Sequence, residues 1–246
     1  MAAPISVQDI VNVANALIIS NKFPNILAVL GPRPNALGWV MGIIQQESSF
    51  RVGAINTAAQ SSPYEARLIE QLKTNYPNVP AQNALYAGTA MGLMQGLGAY
   101  CIKEAAQFGY SLSGTALSAL SSYGLQVPIT VNVFTLFDPN SLGSVLTAAT
   151  NELVLGLAVL ESKCMAFPHS ATAAVNAYYG SATATTTANI NGKYLRGSYA
   201  SLVSQQFYVA RSKLNSPVLV APPIAGSSTS NTTPSNSSPP TTSISC

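Results

Sequence analysis

The chain has 246 residues, which suits one domain of ordinary size or one domain with an appendage. Hydrophobic residues make up 48% of it, enough for a sizeable core, but only 8% are charged, so Ser, Thr, Asn and Gln must cover much of the surface. The net charge of +3 suits an anionic polymer. Lys and Arg form no cluster, and we therefore expect no binding to nucleic acid.

Cysteine and histidine are too sparse for a disulfide scaffold or a zinc site. Cys101 and Cys164 lie in apolar, helix-like contexts and are expected to be buried free thiols, with a disulfide between them as the alternative in an oxidising compartment. Cys246 ends a polar tail, where it is free or paired between chains. The single histidine, His169, is expected to be structural. We expect neither a metal nor a cofactor.

The N-terminus does not look like a signal peptide, because it lacks a basic start and Asp9 interrupts the early apolar run. The densest apolar run, Leu153 to Leu160, is shorter than the roughly 18–20 residues of a membrane span. The sequence therefore predicts no membrane span.

The first predicted helix covers about Ser6 to Ser20, where Ser6 and Asp9 form a capping-box-like start. A Pro/Gly/Asn loop is predicted next, up to a second helix that begins near the N-cap Asn35. Its apolar stripe is Leu37, Val40, Met41 and Ile44.

Glu47 lies three residues after Ile44, so the same spacing places it on the buried face, in the last turn of the helix. The negative end of the helix dipole and apolar neighbours both disfavour a carboxylate there. We therefore expect a raised pKa for Glu47, as a general acid requires. The alternative is a helix-terminal glutamate that simply reaches solvent.

Residues 60–90 are predicted to contain a helix that starts at Ser62-Pro63 and ends before Tyr76-Pro77. Helix 99–108 and a strand or extended loop at 127–137 follow. Asp138-Pro139 then precedes the longest helix, near 142–163, whose second half is apolar nearly all round and is predicted to be central. Its acids, Glu152 and Glu161, are expected to serve solubility or local pairing.

Ser170 is predicted to cap another helix, which carries Tyr178. A Thr/Ala-rich loop with an Asn191-Gly192 turn and a last helix near Tyr194 to Leu214 complete the domain. Residues 216–246 are rich in Ser, Thr and Pro and are predicted to be a linker, an anchor to a partner or a disordered end.

Three short motifs share an order that resembles the soluble lytic transglycosylase and goose-type lysozyme group. They are Glu47-Ser48-Ser49-Phe50, Gly92-Leu93-Met94-Gln95 and Ala177-Tyr178-Tyr179-Gly180, with Asp138-Pro139 before the third. The third departs from the family pattern, because Tyr179 stands where the family usually has Asn. The resemblance covers roughly residues 35–180. It implies a mainly α, lysozyme-like fold with a small irregular or β region and an insertion at about 60–90. We place this domain at 1–215, and the change in composition places a low-complexity tail at 216–246.

The resemblance also implies roles for these residues in cleaving the β-1,4 bond between N-acetylmuramic acid and N-acetylglucosamine. Glu47 would be the catalytic acid/base, and substrate would be bound by Ser48, Met94, Gln95 and Tyr178. Phe50, Gly92 and Tyr179 would be structural residues of the motifs, and Tyr178 would place its hydroxyl beside Glu47.

A single acid favours a lytic transglycosylase, because ordinary glycoside hydrolases use two carboxylates. A hydrolytic muramidase is the alternative, and it would need a positioned water, for which Glu65 and Glu70 are the candidates. The expected partner is the peptidoglycan glycan strand, in a phage virion or another extracytoplasmic setting. Other virion or secretion-complex proteins are expected partners of the tail or the insertion. A structural component with a lysozyme-like assembly module and a wall-binding protein without catalysis are the remaining alternatives.

Overall fold

The computed structural model describes residues 5–20, 22–56, 63–75, 77, 85, 88–97 and 143–219. These ranges are mainly helical, as the sequence predicts, and two small antiparallel sheets accompany the helices. The helices are α1 (Val7–Ile19), α2 (Pro24–Leu30), α3 (Arg33–Ser48), α4 (Pro63–Asn75), α5 (Val145–Ala166), α6 (Ala171–Tyr179) and α7 (Tyr199–Ser212). The strands are β1 (Ala90–Met91), β2 (Gly96–Leu97), β3 (Thr185–Ile190) and β4 (Lys193–Ser198).

The predicted capping box of α1 is confirmed. The Ser6 side chain accepts a hydrogen bond from the Asp9 backbone N–H, and the Asp9 carboxylate accepts one from the Ser6 backbone N–H at 2.6 Å. The Ser6 N–H is thereby satisfied at the helix start, and the Asp9 N–H gains an acceptor besides the Ser6 carbonyl. The helix is thereby fixed in the register that buries its apolar face.

The region between α1 and α3 was expected to be a loop, and that prediction is wrong. Residues Pro24–Leu30 form α2, and α3 begins at Arg33, two residues before the expected cap Asn35. The physical reason is the position of the prolines. Pro24 and Pro34 lie in the first turn of their helices, where the missing N–H costs nothing because no acceptor precedes it.

Helix α5 is the centre of the described fold, as its all-round apolar second half predicts. It packs against α1, α2 and α6, and Ser144 caps it by accepting a hydrogen bond from the Thr147 backbone N–H. It is long and apolar enough to cross a membrane by length and composition, contrary to our sequence-based expectation, but 78% of the qualifying window is buried inside the protein. Burial of this extent is typical of the core helix of a folded domain.

One cysteine lies within the described ranges, on α5. Cys164 is free and buried, as expected, and burial together with the nearby Glu161 carboxyl raises the pKa of its thiol to about 12. A thiol that stays protonated is a poor nucleophile, so Cys164 acts as a small apolar core residue.

The Thr/Ala-rich segment forms a hairpin rather than the predicted loop. Strands β3 and β4 pair antiparallel around Asn191-Gly192, whose φ values of 52° and 82° suit a tight hairpin turn. The last helix was expected to start at Tyr194, but residues up to Ser198 belong to β4. Helix α7 begins at Tyr199 instead, with Ser198 as its N-cap. β-branched Thr185 to Thr187 favour the strand, which the low overall hydrophobicity of the segment concealed.

The first residues of the predicted tail are fastened to the domain. Val7 N–H donates to the Ser216 carbonyl, Val218 N–H donates to the Ile5 carbonyl, and Val52 N–H donates to the Leu219 carbonyl. The chain therefore runs past the start of α1 to the loop that follows α3. The predicted elements at 99–108 and 127–137, Asp138-Pro139, Cys101, Cys246 and residues 220–246 lie outside the described residues.

Candidate active site

Glu47 lies in the last turn of α3, as predicted. Ser49 and Phe50, which follow the helix, both have left-handed backbone conformations, with φ of 55° and 64°. Such conformations are uncommon for residues other than glycine. The Phe50 side chain is buried in the core and holds this sharp turn in place. The turn directs the chain away from the helix end, where Glu47 keeps partial exposure to solvent.

The Glu47 carboxyl group is hydrogen-bonded to a tyrosine from the far end of the sequence. The Tyr199 hydroxyl donates to Oε1 of Glu47 at 2.5 Å, a short distance typical of a hydrogen bond to a charged acceptor. Tyr199 is the first residue of α7, which packs on α3, and its side chain is fully buried. This contact was not predicted from the sequence, which placed Tyr199 only within the last predicted helix.

Three acceptors fix the start of α7 and hence the position of Tyr199. Its backbone N–H donates to the Ala184 carbonyl, the Ala200 N–H donates to the buried Asn176 side chain at 2.8 Å, and the Ser201 N–H donates to Ser198 Oγ. Asn176 also donates to the Ala182 carbonyl at 3.0 Å. Since Asn176 belongs to α6, the start of α7, which carries Tyr199, is tied to α6.

Burial raises the pKa of Glu47 to about 7, and the hydrogen bond from Tyr199 offsets part of that rise. The direction agrees with the sequence-based expectation. Burial and the neighbouring Glu47 raise the pKa of the Tyr199 hydroxyl well above its ordinary value. Tyr199 therefore stays protonated and serves as a permanent hydrogen-bond donor, while Glu47 exchanges its proton near neutral pH.

The glycine–glutamine motif forms a turn between β1 and β2. Gly92 has φ of 77°, and a Cβ atom there would lie 2.7 Å from Cγ of Glu152, so both the conformation and the space require glycine. Gln95 was expected to bind a sugar substituent. Its amide nitrogen donates to the Ala54 carbonyl at 3.1 Å and to the Gly92 carbonyl at 2.9 Å, which braces the turn.

Two other predicted substrate contacts have structural partners. Met94 was expected to pack on a sugar ring, but its side chain is only 1% exposed and lies against Gly156 of α5, so it belongs to the core. The Ser48 hydroxyl lies within hydrogen-bond distance of the Leu93 carbonyl, at 2.8 Å, and of the Ile44 carbonyl, at 3.1 Å. Ser48 thus joins the end of α3 to the turn.

Tyr178 was expected to direct its hydroxyl to Glu47. That hydroxyl donates to the Met94 carbonyl at 2.8 Å, and its single proton is thereby used. Tyr199 makes the contact expected of Tyr178. The third motif therefore reaches the site in a different way from the one that the family resemblance implies.

Tyr179 is half-exposed at the end of α6, with 50% of its surface accessible. Its ring stacks on that of Tyr199, with centroids 4.9 Å apart and planes 17° apart. Its hydroxyl accepts a hydrogen bond from Thr186 of β3 at 3.1 Å. Expected only to be a structural residue of the motif, Tyr179 contacts the tyrosine that is bonded to Glu47.

Glu152 and Glu161 were expected to serve solubility or local pairing, and this expectation is wrong, because both are buried. Glu152 accepts hydrogen bonds from the Gly53 N–H at 2.8 Å and the Leu93 N–H at 2.7 Å, so it joins α5 to both loops beside Glu47. Burial raises the pKa of Glu152 to about 8, against the opposing effect of these two donors. No Lys or Arg lies one helical turn from Glu152 in the sequence. A carboxyl group in such an apolar setting needs hydrogen-bond donors from elsewhere in the fold, so its burial could have been inferred from the sequence.

Glu161 fixes the position of α2. Its Oε1 accepts from the backbone N–H of Asn25 at 2.9 Å and from the side-chain amide of the same residue at 2.7 Å. Its Oε2 accepts from the Ile26 N–H at 2.8 Å. The two backbone donors are among the N–H groups that the first turn of a helix leaves unsatisfied, where an anion is favourable.

The two candidates for holding a hydrolytic water have other contacts. Glu70 forms an exposed ion pair with Lys73 at 2.6 Å. Glu65 of α4 is buried and bonded to the Ala90 backbone, and burial raises its pKa. Glu70 is thus paired within α4, and Glu65 joins α4 to β1.

No family model matches the chain, and searches of curated proteins and of solved structures likewise gave no match.

Proposed function

We propose that the protein is a peptidoglycan lytic transglycosylase in which Glu47 is the single catalytic acid/base. The observation that carries the proposal is the state of Glu47. Glu47 as a residue is partly exposed, burial raises the pKa of its carboxyl group to about 7, and that group accepts a hydrogen bond from a tyrosine that stays protonated. A group with these properties can both give and take a proton at neutral pH.

The two oxygens of Glu47 have different tasks in this mechanism. Oε1 accepts the hydrogen bond from Tyr199, which leaves Oε2 to carry the proton. Glu47 donates this proton to the glycosidic oxygen as the bond from that oxygen to the anomeric carbon breaks. The Glu47 carboxylate then takes the proton of the C6 hydroxyl of the same N-acetylmuramic acid residue. The freed oxygen bonds to the anomeric carbon, which gives a 1,6-anhydro product and restores the protonated enzyme.

The Tyr199 hydroxyl stabilises the carboxylate between these two steps. A hydrogen bond to a charged acceptor is about twice as strong as one between neutral groups. It therefore favours the ionised Glu47 that exists only after the proton has left. Burial favours the protonated form that starts the reaction, and the balance of the two keeps the pKa near neutrality.

The other acids of the described residues support a one-acid route, because each has a structural partner. Asp9 caps α1, Glu70 pairs with Lys73, and Glu65 bonds to the start of β1. Glu152 and Glu161 hold backbone N–H groups of the loops and of α2. When the substrate supplies its own nucleophile, no second carboxylate is needed. The proposal implies that the protein acts on the cell wall, either as part of a phage virion or in another extracytoplasmic setting.

The experiment is mass spectrometry of purified peptidoglycan after digestion by the wild-type protein, by Glu47→Gln and by Glu70→Gln. Products that end in 1,6-anhydro-muramic acid are expected from the wild type and from Glu70→Gln, an exposed acid-to-amide control. Glu47→Gln should yield none, because an amide has no acidic proton to donate. Reducing-end products would mean a hydrolytic muramidase instead. No cleavage by folded wild-type protein would refute catalysis and favour the structural role.

A further inference from the structure

A two-ring stack leads from the protein surface to Glu47. The outer ring is Tyr179, half of whose surface is accessible, and the inner ring is Tyr199, which is fully buried. The rings are nearly parallel, and the inner hydroxyl contacts the Glu47 carboxyl group. The exposed ring is thus separated from the acid by a single residue.

The orientation of the outer ring is fixed from two sides. One face lies against Tyr199, and the hydroxyl edge is held by Thr186 of the hairpin. The hairpin is in turn packed on α7 through Ala188, Ile190 and Leu202. An aromatic side chain that is already held loses little conformational entropy when a ligand packs on it.

We propose that the outward face of Tyr179 is a platform on which a pyranose ring of the glycan strand stacks, beside the bond that Glu47 cleaves. The proposal rests on the proposed function and names one of its substrate contacts. The C–H face of a pyranose is apolar, so stacking on an aromatic face removes apolar surface of both rings from water. The Asn usual at this position in the resembled family has no ring. This chain would hold the sugar by stacking there.

Two other exposed tyrosines among the described residues do not share this arrangement. Tyr208 is 70% exposed on α7, but the ring beside it is that of Phe207, at a centroid distance of 5.4 Å and a tilt of 60°. Tyr194 is 79% exposed near the hairpin turn, opposite Asn189 in the strand register. Tyr208 is therefore a suitable control for removing an exposed tyrosine ring near the same helices.

The test measures binding without cleavage. Chitin oligosaccharides are titrated into Glu47→Gln protein by calorimetry and by NMR, alone and combined with Tyr179→Phe, Tyr179→Ala or Tyr208→Ala. Tyr179→Phe keeps the ring and should bind within about twofold of the parent, whereas Tyr179→Ala should bind roughly tenfold more weakly. Tyr208→Ala should bind as the parent does. Equal affinity of Tyr179→Ala and the parent would overturn the platform.

Two further measurements separate this inference from the proposed function. Thermal unfolding checks that Tyr179→Ala is folded. If it is not, Tyr179→Leu replaces it, because leucine keeps an apolar side chain but has no flat ring, and it too should bind roughly tenfold more weakly. In otherwise wild-type protein, the platform requires Tyr179→Ala to raise KM more than it lowers kcat. Cleavage by the wild type with unchanged binding by Tyr179→Ala refutes the platform alone. Binding that depends on Tyr179 without any cleavage supports the platform and refutes catalysis. No binding and no cleavage by folded wild-type protein refutes both.

Discussion

Gly42 of α3 lies directly against Val203 of α7. A Cβ atom at Gly42 would be 2.3 Å from the Val203 carbonyl oxygen and 2.9 Å from its Cγ1, closer than atoms can approach. The two helices meet one turn from Glu47 and one turn from Tyr199, respectively. The absence of a side chain at Gly42 therefore sets the distance across which the tyrosine hydroxyl reaches the carboxyl group.

We expect Gly42→Ala to force α3 and α7 apart. Overpacking of this kind costs about 1–3 kcal/mol, and it should lengthen the contact between Tyr199 and Glu47. Urea unfolding measures the first effect, and the pKa of Glu47 from NMR titration measures the second. Gly38→Ala is the matched control on the same helix, because its Cβ would meet Phe207 at an ordinary 3.6 Å. Equal stability of the two variants would contradict the close packing.

The pH dependence of cleavage should follow the protonation of Glu47. Because burial raises its pKa to about 7, the fraction of molecules with a proton to donate falls as the pH rises through that value. The rate kcat/KM should therefore be lost on the alkaline side with an apparent pKa near 7. It is measured on a soluble glycan substrate between pH 5 and 9, with the folded fraction of the protein checked at each pH. A rate still constant up to pH 9 would exclude Glu47 as the acid.

Tyr199→Phe should shift this alkaline limb upwards. The hydroxyl lowers the pKa of Glu47, so its removal leaves burial unopposed and raises that pKa further. The rate should also fall by about tenfold, because the carboxylate between the two steps loses its donor. Tyr178→Phe is the comparison variant, because that hydroxyl donates to the Met94 carbonyl and acts electrostatically on Tyr199, so we expect a smaller shift from its removal. A larger upward shift in Tyr178→Phe than in Tyr199→Phe would mean that Tyr178, and not Tyr199, sets the pKa of Glu47.

The sequence predicted what depends on neighbours along the chain. The capping box at Ser6 and the raised pKa of Glu47 follow from local spacing and helical periodicity, and both are present. The contact of Tyr199 with Glu47 joins residues 152 positions apart and depends on how α3 crosses α7. No local pattern contains that information.

The hairpin and the buried acids show the same limit in two other ways. Asn191-Gly192 was recognised as a turn, but Thr185 to Thr187 gave too little hydrophobic alternation to predict a strand. Glu152 was recognised as an acid on an apolar helix, but its partners are backbone N–H groups of Gly53 and Leu93. Backbone donors carry no sequence signature, so such a partner is invisible before the fold is known.

Gly92→Ala should be more destabilising than the same change at Gly192. Both glycines have left-handed conformations, with φ of 77° and 82°, so alanine is strained at either position by roughly 1–2 kcal/mol. Only at Gly92 would the new Cβ also press on the Glu152 side chain, whereas nothing lies within 4 Å at Gly192. The difference between their unfolding free energies isolates that contact. Indistinguishable values would show that the turn shifts away from α5 without cost.

Glu152→Gln should destabilise the protein and flatten its stability against pH. An amide has one accepting oxygen where Gly53 and Leu93 need two, so one buried N–H loses its partner, at about 1–3 kcal/mol. In the wild type, burial raises the pKa of Glu152 from 4.5 to about 8. The folded state then holds a proton that the unfolded chain releases, so this group stabilises fully below pH 4.5 and loses its contribution as the pH rises through 8.

The measurement is urea unfolding of the wild type, Glu152→Gln and Glu70→Gln at pH 5 and pH 8.5. The wild type and the exposed control Glu70→Gln should both lose stability between these values, and Glu152→Gln should lose less. Glu47 contributes to the same slope with a pKa of about 7, so the flattening should be partial in Glu152→Gln and larger when Glu47→Gln is added. An unchanged slope in the double variant would mean that neither carboxyl group is buried in its protonated form.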